Sequence, residues 1–198
     1  MGFIIDEKVI EKMDLYNQIM DNIKTQNVSN NEKFQKVYNK YYGLNVSTDD
    51  TYKEKYYQYM EEIKNKKDIS YEKVIRSLKE KTGRVDYSFA SKLLHTINQE
   101  MPILDKHLMR LLGFALKERG TDDERIAYYI DVHKTVKEEY DMIRNNYSSG
   151  MVPNKAIYKA LKEFDNVYSN NKNLSVAKKI DCILFRMRKE RGASMLDV

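Results

Sequence analysis

The sequence predicts an all-α protein, a compact bundle of about nine helices, and three observations carry that prediction. Apolar residues recur at spacings of three and four along almost the whole chain, strand-type alternation is absent, and 198 residues contain seven glycines and two prolines, little of the turn chemistry that sheets need. With 41% apolar and 33% charged residues, the chain can bury one core. It reads as a single helical domain over 1–198, with N-terminal helices over 1–69 and a helical core over 70–191 that ends in a basic last helix.

The first helix spans about 6–25, where Val9, Met13, Tyr16, Met20 and Ile23 form one apolar stripe. Polar residues Asn27 to Asn31 end it, and a shorter helix with Phe34, Val37, Tyr38 and Tyr41 on one face stops at Gly43. Thr48 is placed to cap a third helix, whose Tyr52, Tyr56, Tyr59 and Ile63 share a side. That tyrosine stripe reads as core packing, with base stacking the alternative, because stacking platforms are usually built on sheets and loops. Ser70 caps the fourth helix, which carries Val74, Ile75 and Leu78 inward and closes at Gly83.

The fifth helix, about 86–97, buries Phe89, Ala90, Leu93, Leu94 and Ile97. Asn98 and Pro102 break it, since proline cannot continue a helix. A sixth helix starts after Asp105 and, from Leu108 to Leu116, is apolar around most of its circumference, so it is expected to run to about Gly120 and to be buried on several sides. Thr121 and Glu124 form a capping box ahead of a long seventh helix closing at Asn145 and Asn146. Pro153 suits the first turn of an eighth, with Ile157, Ala160, Leu161, Phe164 and Val167 inward. After an Asn-rich turn at 170–173, Ser175 caps the last helix, with Val176, Ile180, Ile183, Leu184 and Met187 inward and its basic residues outward.

Composition narrows the function classes. No apolar run approaches the roughly 20 residues of a membrane span, and the N-terminus turns polar too early for a signal-peptide core. With a single cysteine, Cys182, the chain forms no internal disulfide, and a cytoplasmic location is the expectation. The net charge of +5 is local: between Lys172 and Arg191 seven basic residues face two acidic ones. Lys178, Lys179, Arg186, Arg188 and Lys189 therefore form a candidate phosphate-binding face, against the plainer reading of a lysine-rich composition from A/T-rich codons.

Asp105 is the leading site candidate. A carboxylate at that junction caps backbone N–H groups, and it can also face a cleft and meet a substrate. Lys92, one turn before His95, is a solvated lysine or, if burial or a neighbouring cation lowers its pKa, a nucleophilic amine. His95, His107 and His133 lack the spacing of a metal site, so no metal or other cofactor is expected. Phosphate-cradling glycine motifs and a nucleophile elbow are absent, and Cys182 reads as a buried thiol.

Three runs, Phe89-Ala-Ser-Lys-Leu-Leu-His95, Pro102-Ile-Leu-Asp105 and Leu108 through Gly113, together resemble the core of the helix-hairpin-helix DNA glycosylase superfamily. The similarity extends over about 70–190. It implies a two-lobed helical fold with a cleft, Asp105 in the position of the family's essential aspartate, and, in active members, excision of a damaged base, sometimes through a lysine Schiff base. The chain departs from the family at the hairpin, where 86–90 lack the Gly-x-Gly turn, and at the usual lysine position. Lys92 lies farther along.

Two readings follow. The first is a glycosylase-like protein that binds DNA without requiring base excision, with Tyr87, His95, His107 and Tyr128 as polar aromatics that could line a base pocket. The second is a non-enzymatic helical module of the phage or mobile-element regulator kind, acting on a protein partner through a tyrosine-rich surface.

Overall fold

The structure, a computed structural model, describes residues 7–44, 48–66, 68–151, 155–168 and 174–194, with 155 and 187–194 described by their backbone alone. Among these residues the chain is all-helical: α1 (Glu7–Ile23), α2 (Glu32–Tyr42), α3 (Asp50–Ile63), α4 (Tyr71–Thr82), α5 (Tyr87–Ile97), α6 (Lys106–Leu111), α7 (Asp122–Ser149), α8 (Lys155–Val167) and α9 (Val176–Ser194). Most helix starts are written into the sequence as oxygen-bearing caps. Asn31, Ser70 and Asp86 each accept the backbone N–H three residues on, and Thr121 and Glu124 complete a reciprocal capping box. Ser175 Oγ accepts the Lys178 N–H and opens α9.

One apolar core runs through both halves of the chain, from Met13 on α1 to Ile183 on α9. Helix α1 packs on α2 and α5, α4 touches α3, α5 and α7, and α9 is met by α6, α7 and α8. The tyrosine stripe of α3 is part of this core. Tyr52, Tyr56 and Tyr59 are all buried, and the hydroxyl of Tyr38 on α2 donates to that of Tyr56 at 2.8 Å while Tyr56 donates to the Phe89 carbonyl of α5. The hydroxyls of Tyr38 and Tyr56 are satisfied within the core, which lets this part of the polar aromatic stripe face inward.

Several sequence expectations are corrected. Asp49, one residue after Thr48, caps α3 by accepting the Tyr52 N–H at 2.7 Å, while the Thr48 hydroxyl turns back to the Leu44 carbonyl. Helix α6 is two turns long, because Gly113 at φ +81° turns the chain left-handed and Phe114 N–H closes on the Met109 carbonyl at 2.8 Å. Leu112, expected inside, is 41% exposed. Helix α7 runs past Asn145 and Asn146 to Ser149, where Gly150 at φ +75° supplies the stop. Val167 at the end of α8 is exposed, not inward. Pro153, the Asn-rich turn and the Met187 side chain lie outside what is described.

Candidate functional site

The connector between α5 and α6 is held from the α5 side. Ser91 Oγ accepts the Leu104 N–H at 2.8 Å and donates to the Ser88 carbonyl at 2.8 Å. One turn on, His95 Nδ1 lies 2.7 Å from the Met101 carbonyl, and Nε2 lies 3.0 Å from the Tyr16 hydroxyl. A carbonyl only accepts, so Nδ1 carries the proton and Nε2 accepts from Tyr16. Burial, followed by the nearby charge of Lys178, pulls the His95 pKa down to about 3, and the ring is neutral.

This bracing delivers Asp105 to the start of α6. Its Oδ1 accepts from both His107 N–H and Leu108 N–H at 2.8 Å. Both capping bonds fall on Oδ1, so Oδ2 is not consumed by the cap, and Asp105 lines two hollows that meet at this point. Asp105→Ala is expected to lower stability by about 1–2 kcal/mol through loss of the cap, whereas Asp105→Asn keeps an accepting oxygen and costs less than half of that. Urea unfolding of the two variants checks the difference.

The first hollow encloses about 300 Å³, within the range of small-ligand sites. Its wall comes from five stretches of chain: Lys8, Lys12 and Met13 on α1, Lys40 to Gly43 at the end of α2, Lys92 on α5, Ile103 and Asp105 before α6, and Lys178, Asp181, Cys182, Phe185 and Arg186 on α9. Cations thus outnumber carboxylates six to two around a floor of tyrosine and phenylalanine rings.

Two lysines give this wall its electrostatics. Lys178 is buried, 2% exposed, with Nζ 2.6 Å from Asp181 Oδ2 and lying 4.9 Å and 5.3 Å from the ring centres of Tyr16 and Tyr41. Burial opposes its charge, but the Asp181 carboxylate overcomes that and holds the ammonium above the ordinary lysine range. Lys92 is half-buried and donates to the Tyr42 carbonyl at 3.1 Å. Burial lowers its pKa, Lys178 adds to the effect, and Asp105, Asp86 and Asp181 oppose it. A lysine so placed holds a larger neutral-amine fraction than a solvated one, next to a carboxylate. The thiol of Cys182 is pushed by burial up to about 12, in contact with Met13 Sδ at 3.3 Å, and is inert.

The second hollow, about 660 Å³, lies between the start of α5, α6 and the segment before α7. It shares Gly43, Lys92 and Asp105 with the first and adds the cations Arg84, Lys106, Lys117 and Arg125, the carboxylates Asp86 and Glu118, and Tyr87, His107 and Tyr129. The rings of Tyr87 and Tyr129 stack at 4.2 Å with 9° between their planes.

The sequence candidates therefore divide. Asp105 and Lys92 meet at the junction of the hollows, and Tyr87 and His107 line the second. His95 does not line either, because its two nitrogens are used inside the core. Tyr128 is turned away, its hydroxyl donating to the Ala115 carbonyl at 2.7 Å, and its neighbour Tyr129 takes the lining position. The outward basic face assigned to α9 is corrected as well. Lys178 and Lys179 are both buried, paired with Asp181 and with Asp165 at 2.5 Å, because α9 is covered by three other helices. Arg186 lines the first hollow, and the side chains of Arg188 and Lys189 lie outside what is described.

Lys8, Lys12, Lys40, Tyr41 and Asp181 are site residues that sequence reasoning does not single out. The i, i+4 spacing of Lys8 and Lys12 is the signal available on α1, and Lys178 with Asp181 at i, i+3 is the signal on α9. Among the described residues no group of His, Cys, Asp and Glu is arranged to hold a metal ion, and no helix is long and apolar enough to cross a membrane. Compared with known proteins, the chain matches no family model, no curated protein and no solved structure.

Proposed function

We propose that this protein binds nucleic acid, with the first hollow receiving one unstacked nucleotide in the manner that a glycosylase-like, two-lobed helical arrangement implies. The observation that carries the reading is the concentration of charge around Lys178 and Asp181. A buried ion pair at the wall of a cavity, beside a half-buried lysine and ringed by further cations, is a costly arrangement to maintain for packing alone. Lys8, Lys12 and Lys40 at the rim supply the charge that phosphates attract, Lys12 lying 4.2 Å from the Phe185 ring centre; Tyr41 and Phe185 line the cavity with aromatic carbon against which a base packs, and Asp105 supplies a hydrogen-bond acceptor for a base edge. Base excision is not required by this reading; Lys92 and Asp105 serve equally as contacts.

Three rim lysines acting on phosphates of a single strand give a slope of log K against log salt of about −2, or roughly a 20-fold loss of affinity between about 50 mM and 200 mM salt. Binding of a fluorescein-labelled single-stranded oligodeoxynucleotide of mixed sequence, followed by anisotropy, tests this. The double variant Lys12→Glu with Lys40→Glu is expected to bind at least about tenfold more weakly with a shallower salt slope. Salt-insensitive binding, or equal binding by the double variant, would falsify the proposal.

A further inference from the structure

We infer that the site takes a single strand running across both hollows, with consecutive nucleotides on either side of the Lys92 and Asp105 divide; the inference rests on the nucleic-acid reading above and extends it. Three observations in the second hollow point this way. It adjoins the first, the two sharing Gly43, Lys92 and Asp105 as a common wall. It carries its own aromatic platform, Tyr87 stacked on Tyr129 at 4.2 Å, with Tyr87 half-buried and facing the same hollow as the exposed Lys106. Its wall also includes Arg125, a further cation whose Nη1 lies 3.5 Å from Asp122.

The strand must be unpaired. In a duplex, neighbouring bases on one strand are stacked on each other and face their complements, so two of them cannot enter separate hollows across a protein wall. In a single strand the bases are free to splay onto aromatic platforms while cations follow the backbone, and such stacking tolerates any base. Lys106 and Lys117 are placed to follow the backbone beside Tyr87, as Lys12 and Lys40 do beside Tyr41.

The test compares three probes: thymidine 5′-monophosphate, a single-stranded oligothymidylate, and the duplex of that oligothymidylate with oligodeoxyadenylate. Lys106→Glu with Lys117→Glu changes only second-hollow residues, and Tyr87→Ala removes the platform without touching charge. For both variants the expected result is unchanged binding of the monophosphate and about a tenfold loss on the oligothymidylate, with the duplex bound more weakly than the single strand by the wild type. Retained oligothymidylate affinity in both variants, or a duplex bound as tightly as the single strand, overturns the strand path while leaving the nucleotide site standing. Failure of the wild type to bind any of the three probes overturns the underlying reading along with it.

Discussion

Asp181→Ala is expected to destabilise the protein by about 3–5 kcal/mol, which for a chain of this size lowers the melting temperature by roughly 10 °C. The alanine removes the carboxylate 2.6 Å from Lys178 and leaves an ammonium that is 2% exposed without its partner. The rings of Tyr16 and Tyr41 attract that charge but do not replace a hydrogen-bonded carboxylate. Changing both members to apolar side chains, Lys178→Met with Asp181→Leu, removes the desolvation cost together with the attraction, and stability is expected to return to within about 1 kcal/mol of the wild type. Denaturant unfolding of the single and double variants reads this asymmetry directly. A pair kept only for stability would make the double variant the least stable of all. A pair kept for ligand binding leaves a double variant that folds well and binds oligonucleotide poorly, because Lys178 is part of the cavity wall.

Acidification is expected to have a comparably large effect. His95 and His133 are both buried, and burial is the main cause that pulls their pKa values down to about 3 and about 4. The unfolded chain binds a proton on each near its ordinary value of about 6.5, so below that pH the unfolded state holds more protons than the folded one. The stabilisation from neutral burial is therefore complete above about pH 6.5 and is lost as pH falls toward the folded values. From about pH 7 to pH 5 each histidine accounts for about 2 kcal/mol of lost stability, about 4 kcal/mol together. His133 is packed face to face on Tyr71 at 4.0 Å, so neither ring escapes to solvent without local opening. In His95→Gln the decline over that interval should be about half as steep, and an identical decline would remove His95 from the explanation.

How much of the fold is legible in the sequence follows from which forces act locally. Caps and stripes are local, so Asn31, Ser70, Asp86, Thr121 and Ser175 mark helix boundaries by residue type alone, and the apolar spacing of α1, α4 and α5 points to the faces that are buried. Gly113 is less transparent. Its apolar neighbours suggest a continuing helix, and only the left-handed turn at φ +81° ends α6 after two turns. The candidate site is half visible. Asp105 and Lys92 lie near each other in sequence and on one braced junction, but the opposite wall comes from α1 and α2, which a division of the chain at residue 69 sets apart. Lys178 and Lys179 escape a sequence reading because a basic residue is assigned to solvent by default. On a helix covered from three sides, polar positions also face protein, and they persist there because Asp181 and Asp165 supply the partners.

The central claim, that a nucleic-acid strand occupies the hollows at Lys92 and Asp105, is tested most directly by reductive methylation of the 198-residue chain with and without saturating single-stranded oligothymidylate, read lysine by lysine by mass spectrometry. Lys92 has an amine lowered by burial and lies on the wall common to both hollows, while Lys134 is exposed on α7 and lines neither. A strand in the hollows slows modification of Lys92, Lys12 and Lys40 at least about fivefold, on the scale of one phosphate contact, and leaves Lys134 unchanged. Equal modification of Lys92 with and without the strand, at concentrations where binding is complete, would contradict the claim.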